Sequence, residues 1–385
     1  VVNMGSITAN KVEVYGRSIR ILDAANVHDA TTSPVILHID EATNGGYAHI
    51  GYQSGSVPST SDYEIHKKVT PPPPSPSSPP SPPTIEVAAA TAADNYYQLV
   101  STPTDFQNIN NGLTKNYMLA NDIDFTDSTT HAAGGITPIG GNTYADFTGK
   151  LDGNFFRVKN FSVASTVSYA GLFGRTSGAK IENLGVTGAT VTGGSGANDF
   201  AGGIAGYTTG NTLIRNVYVK KDTTVDGSTG QLGGVVGKTE NTTFDSVYSL
   251  ATIGDGGGLI GTSGTGTKIY DAYSDTSYLS TVTPGQEIYF IYLIDPDNGT
   301  NVYNSFATGK LSWNEGNLTV DPSQNTYRID GENAVRVGST TVTGSATSGN
   351  KNSVATYAGW SINNTGAPGA KWRIYEGRTL PLLTA

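Results

Sequence analysis

The sequence predicts an all-β solenoid, and three observations lead there. First, a glycine-bracketed apolar tetrapeptide recurs as Gly171-Leu172-Phe173-Gly174, Gly203-Ile204-Ala205-Gly206, Gly234-Val235-Val236-Gly237 and Gly258-Leu259-Ile260-Gly261. Successive copies begin 32, 31 and 24 residues apart. Self-similarity at a period of roughly 20 to 50 residues marks an array whose units bury their apolar faces on one another. Second, each copy is followed, 12 or 13 residues after its first glycine, by a polar–apolar step: Asn183-Leu184, Asn216-Val217, Ser246-Val247 and Asp271-Ala272. Third, charged residues are only 14% of the 385, and 49 glycines help to replace them. Ordinary globular chains carry about 25% charge. Many short strands need many tight turns, and glycine supplies positive φ there without steric cost.

Composition also removes several function classes. A net charge of −9 speaks against nucleic acid and anionic membrane as partners, because both need clustered Lys and Arg. The absence of cysteine excludes thiol catalysis, disulfide staples and Cys-ligated metals. No apolar run approaches the ~18 residues of a membrane-spanning helix, so no membrane insertion is expected. The chain opens Val1-Val2-Asn3, without an initiator Met or a signal peptide, and reads as a processed or excised segment.

Along the chain, residues 1–69 alternate apolar and polar positions, as in Lys11-Val12-Glu13-Val14-Tyr15, Ser18-Ile19-Arg20-Ile21 and Pro34-Val35-Ile36-Leu37-His38-Ile39. Period two means half-buried strand. The first strand has nothing before it to stack on, so this end of a solenoid would need a cap or another subunit. Residues 70–84 are a proline-rich linker, with nine prolines in the thirteen positions 71–83. Each proline lacks an amide donor and fixes φ, which predicts an extended polyproline II spacer of about 40 Å. Residues 85–165 lead into the array, with a short helix expected at 103–109 and strand at 117–125. The array itself occupies 166–280. Residues 281–385 form a β-rich closing region, where Val302-Tyr303 echoes Val217-Tyr218, Val247-Tyr248 and Ala272-Tyr273.

These segments resemble a known family. Tyr97-Gln98-Leu99-Val100, Tyr117-Met118-Leu119-Ala120-Asn121-Asp122-Ile123-Asp124, Pro138-Ile139-Gly140, Phe147-Thr148-Gly149-Lys150-Leu151-Asp152-Gly153-Asn154 and the tetrapeptides look like the lead-in and GLUG repeats of large bacterial surface exoproteins. Asn3-Met4-Gly5-Ser6-Ile7-Thr8-Ala9 through Gly16 is similar to coils of filamentous-haemagglutinin-type adhesins exported by two-partner secretion. Trp372-Arg373-Ile374-Tyr375-Glu376-Gly377 with Leu380-Pro381-Leu382-Leu383 is similar to the family's closing motif. The resemblance implies a right-handed parallel β-helix, here in two parts joined by the proline-rich linker. It also implies a cell-surface location, an adhesive or biofilm role, and no catalytic residues.

The candidate sites each have a plainer alternative. Asp122 and Asp124 lie two apart on an expected strand, so both carboxylates share one face, as a glycosidase pair would; turn hydrogen bonding is the simpler role. Asp295, Asp297 and Asn298 bunch oxygen ligands near a glycine and are the calcium candidates, with Asp152-Gly153-Asn154 and Asp255-Gly256 behind them, although none closes an EF-hand loop. His38 and His49 fall on neighbouring strands without a third ligand for zinc. There is no nucleophile elbow and no phosphate loop. In the tetrapeptides, Gly171, Gly174, Gly203, Gly206, Gly234, Gly237, Gly258 and Gly261 are expected to permit tight corners while the residues between them fill the lumen. Tyr207, Tyr218, Tyr248, Tyr270 and Tyr273 are either ligand-facing aromatics that stack on sugars or internal stacked columns. Asn160, Asn241, Asn298, Asn317 and Asn363 head glycosylation sequons.

The function expected from the sequence is a non-enzymatic extracellular adhesin module without cofactors, whose partners are host or bacterial surface glycans or proteins. The alternatives are a fibre subunit self-associating through its coil ends and a carbohydrate-active β-helix enzyme.

Overall fold

The computed structural model describes residues 7–9, 12–16, 18–22, 24, 27–29, 34–41, 47–59, 62–69, 84–89, 91, 94–126, 135–164, 166–227, 231–254, 256–278, 292–294, 301–303, 306–307, 319–320, 335–337, 340–342, 361–364, 370–375 and 381–383. They fall into two compact units, Val1–Val100 with Lys115–Ala120, and Ser101–Thr114 with Asn121–Ala385. Both are β-solenoids built from stacked parallel strands.

In the N-terminal unit, Glu13–Gly16, Val35–Glu41 and Tyr63–Val69 stack in parallel register. A second stack runs Ser18–Ile21, Tyr47–Tyr52, Tyr96–Val100 and Asn116–Leu119. Alternation turns Val14, Leu37, Ile39, Ile19, Ile21 and Ile50 into one shared core. Tyr63 and Tyr96 close it, each 2% exposed. The proline-rich run 70–83 lies outside the described residues, but its flanks do not. Thr84–Ala89 pairs antiparallel with Tyr63–Val69, and Val69 sits opposite Thr84. Strand neighbours are about 4.8 Å apart, so the two flanks lie side by side rather than held about 40 Å apart by a spacer. Both belong to the same unit.

The second unit opens on the expected helix, observed at Pro103–Gln107 and continued as a 3₁₀ turn over Asn108–Asn111. Thr102 and Asp105 cap it reciprocally, with Pro103 at the first helical position, where a missing N–H costs nothing. The array then winds through three parallel faces. The first stacks Lys180–Thr187, Thr212–Val219, Thr242–Ser249 and Lys268–Ser274. The second stacks Ser162–Val163, Thr190–Thr192, Thr224–Asp226, Thr252–Ile253 and Ser277–Tyr278. The third carries the tetrapeptides, on Phe173–Ser177, Ala205–Thr209, Val236–Thr239 and Gly256–Ser263.

The lumen is a set of columns, one residue per coil. Ile181, Ile214, Phe244 and Ile269 form one, and Val191, Val225 and Ile253 another; all are at most 1% exposed. The paired residues inside each tetrapeptide, Leu172-Phe173, Ile204-Ala205, Val235-Val236 and Leu259-Ile260, are completely buried, as expected.

Their bracketing glycines do not act as expected. Positive φ is absent from all eight. Close approach is what requires glycine. A Cβ on Gly206 would lie 2.7 Å from the backbone of Tyr169, and one on Gly203 would lie 2.8 Å from the carbonyl of Gly234. The tight corners fall elsewhere, on the polar–apolar steps, where Asn183, Asn216, Ser246 and Asp271 have φ of 55, 52, 62 and 50°. Asn and Asp tolerate the left-handed region because a short polar side chain bonds locally. Here the asparagine side chains also bond from coil to coil. Asn216 Nδ2 donates to Asn183 Oδ1 at 3.0 Å, and Asn183 Nδ2 donates to Asp152 Oδ1 at 2.9 Å.

Buried threonines form a second polar ladder. Thr176 meets Thr212 at 3.2 Å, Thr208 meets Thr242 at 2.9 Å and Thr239 meets Thr267 at 3.0 Å, hydroxyl to hydroxyl. All six are fully buried, and the pairing avoids the penalty of an unsatisfied buried hydroxyl.

Candidate functional site: an outer tyrosine column under a C-terminal clasp

Outside the lumen, the first face of the array carries an aromatic column. Tyr218, Tyr248 and Tyr273 occupy one register position on successive coils. Their rings stack at 5.3 Å and 9°, then at 5.0 Å and 4°. The position one coil earlier is Gly185, where a Cβ would lie 2.3 Å from the Tyr218 ring. Glycine is required because the ring lies flat against its backbone. On the next strand the column position is Phe306, opposite Tyr273, while Tyr303 pairs with Tyr270. The expected echo at Val302-Tyr303 therefore belongs to the neighbouring column.

Residues 361–364, 370–375 and 381–383 cover this column. Ile362–Asn363, Trp372–Arg373 and Leu382–Leu383 form a small sheet of their own. Trp372 packs 6.1 Å from Tyr248 and 5.9 Å from Tyr273, and Ile374, Ile362 and Leu383 complete an apolar cluster with Tyr218 and Leu250. The Tyr273 hydroxyl donates to the carbonyl of Pro381 at 2.8 Å. Beside the rings, Lys371 Nζ donates to Asp245 Oδ1 at 2.7 Å and lies 3.5 Å from Asp271 Oδ2. Burial opposes the Lys371 charge, but the hydrogen bonds and charges of Asp245 and Asp271 outweigh it and hold the ammonium above its ordinary pKa.

These contacts correct the ligand-facing reading for Tyr248 and Tyr273, which are 2% and 0% exposed beneath Trp372. Burial, then the charge of Tyr218, pushes the Tyr248 phenol up. Tyr218 is half-buried with Gly185 on one ring face and Tyr248 on the other, so neither face is open to a sugar. Tyr270 is half-buried and outside the column. Tyr207 lies on a different face. Arg175 sits 5.0 Å from its ring centroid and Lys238 5.2 Å, in the order Arg175, Tyr207, Lys238 along the coils. Burial, followed by a hydrogen bond to Glu240, pushes the Tyr207 phenol up to about 12. Tyr169 and Phe200 pack against it at 6.1 and 5.8 Å.

The carboxylate pair is neutralised by cations. Asp122 accepts from Arg157 Nη2 at 2.6 Å and from the Arg157 amide at 2.9 Å, with Lys159 at 3.5 Å. Asp124 accepts from Asn160, Thr126 and the Thr126 amide, with Lys159 at 3.3 Å. Burial pushes both pKa values up, but these partners together outweigh it and hold both carboxyls below the usual range. Neither is suited to act as a general acid near neutral pH.

His38 and His49 do not meet. His38 stacks on Tyr15 at 4.1 Å and meets His66 edge-on at 5.0 Å, while His49 sits 4.3 Å from both Tyr47 and Tyr97. Among the described residues no group of three or more His, Asp or Glu could hold a metal ion, and no helix is long and apolar enough to cross a membrane. The calcium candidates Asp295, Asp297 and Asn298, and Asp255, lie outside the described residues. Of the other candidate, Asp152 bonds Asn154 and Asn183 within the ladder.

No family model matches the chain. Halomucin of Haloquadratum walsbyi is 35% identical over 154 residues, which is 38% of this chain and 2% of halomucin. The chain therefore spans a very small part of the curated relative it matches. Among solved structures, a candidate immunoglobulin A1 protease from Bacteroides ovatus is 20% identical with a TM-score of 0.40, covering 65% of this chain and 79% of that one. A structure named IgA1 protease is 16% identical with a TM-score of 0.39, covering 69% of this chain and 19% of that one.

Proposed function

We propose that this chain is a non-enzymatic, extracellular β-solenoid module of a surface adhesin, of the filamentous-haemagglutinin type with GLUG repeats, whose partners are surface glycans or proteins. The observation that carries the reading is where the repeat's chemistry goes. The glycines, the asparagine ladder, the threonine ladder and the tyrosine column all hold coil to coil, and the Asp122–Asp124 pair is tied up by Arg157 and Lys159. A rigid array that uses its polar groups on itself supports a scaffold rather than a reaction centre. The match to a 2% stretch of halomucin fits a module within a much longer chain. Charge-poor composition and the absence of cysteine suit an exported solenoid whose ladder replaces disulfides. With Tyr218, Tyr248 and Tyr273 covered, and the Tyr207 ring held between Arg175 and Lys238, the ligand-facing role passes to Tyr270. The test is binding of the purified chain to a glycan array and to intact cells. Retention that falls at least tenfold in Tyr270→Ala is expected, and no retention on either surface would end the adhesin reading.

A second reading, a fibre subunit, draws on the N-terminal unit. Glu13–Gly16 and Ser18–Ile21 are each the last strand of their stack among the described residues, and end-to-end contacts that do not close into a ring build a filament. Negative-stain electron microscopy over a range of concentrations separates short rods from long uniform fibres.

A further inference from the structure

We propose that Asn241 is a modification site that carries an N-linked glycan, on the corner where the third face of the array turns into the first. Such a glycan presupposes the exported location of the reading above, and the sugar sits on this chain rather than being a partner it binds. Five asparagines head sequons, and what each side chain does separates them. Asn298 and Asn317 lie outside the described residues. Asn160 is exposed, but its Nδ2, the atom that would take the sugar, donates to Asp124 Oδ1 at 2.8 Å. Asn363 is half-buried in the clasp sheet, on the strand paired with Trp372–Arg373. Asn241 is exposed, and among the described residues its Nδ2 holds no hydrogen bond.

The backbone presents that nitrogen. Asn241 has φ of 44° in the turn between Val236–Thr239 and Thr242–Ser249, and its main-chain amide donates to the carbonyl of Thr265 at 2.8 Å. Its Oδ1 faces Gly266 of the next coil, where a Cβ would collide with it, so Nδ2 lies on the far side of the amide. Alternation along the strand then sorts the two threonines that follow. Thr242 turns inward to its rung with Thr208. Thr243, which supplies the sequon hydroxyl, stands on the outer face between Leu213 and Lys268. A glycan is bulky and needs a surface turn. The coil before offers Gly210-Asn211 and the coil after offers Thr265-Gly266, all exposed and all short. In the transfer, Nδ2 attacks the anomeric carbon of a sugar held as a phosphate ester. The C–N bond forms and the C–O bond to phosphate breaks. Phosphate leaves with the electron pair, and one amide proton passes to a base of the transferase. At Asn160 the same attack would have to pull the nitrogen off Asp124.

The test is mass spectrometry of the full chain secreted through an N-glycosylating pathway, with peptide mapping of the folded product. A glycan on Asn241 is expected, with occupancy at least tenfold above that of Asn160. Thr243→Val removes the sequon hydroxyl while leaving the turn intact, and should abolish the modification at Asn241 with the chain still secreted. An Asn241 peptide at its bare sequence mass overturns the proposal. Equal occupancy at Asn160 also overturns it, because exposure of Nδ2 would then not select the site. Modification that survives Thr243→Val overturns it as well. A chain that binds cells yet stays bare at Asn241 leaves the adhesin reading standing, whereas a glycosylated chain that binds neither glycans nor cells does the reverse.

Discussion

The two units stack strands in parallel but hold their coils by different means. In the array like side chains meet from coil to coil: asparagine meets asparagine and tyrosine meets tyrosine at one register position, and threonine meets threonine across two faces. In the N-terminal unit unlike rings are brought together, both along a strand and from coil to coil. Tyr15, His38 and His66 form one outer stack, and Tyr47, His49 and Tyr97 another, with the His49 ring nitrogen 3.2 Å from the Tyr97 hydroxyl. The difference teaches that solenoid stacking needs complementary neighbours rather than identical ones. Repetition is the simplest way to be complementary, and it also leaves a mark in the sequence.

The sharpest way to break this contrast is to add bulk at an array glycine. Gly206→Val forces a side chain into the Tyr169 backbone and is expected to cost about 3 kcal/mol or more, read as a loss of cooperative urea unfolding. The counterpart in the N-terminal unit is Gly55, which has φ of +84° and open space where a Cβ would stand, with no atom within 4 Å. Gly55→Ala should cost only about 1 kcal/mol, from backbone strain alone. Next in size, Trp372→Ala uncovers the tyrosine column and should cost about 3 kcal/mol, with a change in the near-ultraviolet signal of the tyrosines it exposes.

Smaller effects sharpen the comparison. Asn216→Ala loses a ladder bond and places an ordinary residue at positive φ, for about 2 kcal/mol. Asn216→Gly keeps the backbone and should cost about half of that, both read by urea unfolding. An Asn216→Gly variant as stable as the wild type would mean that the amide ladder contributes nothing. The acid limb of stability tests Asp122 and Asp124. Their folded pKa values are depressed, so their contribution is fully present above the unfolded value of about 4 and is lost as pH falls through the folded value. Asp124→Asn should flatten the fall in melting temperature below about pH 4. At the alkaline end Tyr96 and Tyr117, raised to about 12 chiefly by burial, favour folding below the free tyrosine value of about 10. Above that value the balance reverses: the unfolded chain ionises first, and stability falls until pH passes 12. A spectrophotometric tyrosine titration checks it.

The solenoid class and the array's lumen are legible in the sequence because burial repeats leave a period. The residues inside the tetrapeptides read correctly as lumen fillers. The glycines around them do not read correctly as corners. Close backbone approach and positive φ both select glycine, and only three dimensions separate them. The corners sit in plain view at Asn183, Asn216, Ser246 and Asp271, whose polarity is the only sequence signal of the left-handed turn. The tyrosine column is visible as an echo, but its lid is not. Nothing local in Lys371-Trp372 points to Asp245 or Tyr273, because that pairing is a long-range packing event. The proline-rich run reads as a spacer because composition reports stiffness and is silent about where the ends are held.

One consequence of the threonine rungs concerns how such a chain can change length. Each of these rungs joins one threonine hydroxyl of a coil to one of the next, so a duplicated turn finds its partners already waiting above and below. A deleted turn lets the survivors close over the gap without stranding a donor. Extension by whole turns is therefore chemically neutral, whereas insertion of a partial turn would throw every rung beyond it out of step. Length can then vary by copying, and the stack stays sound.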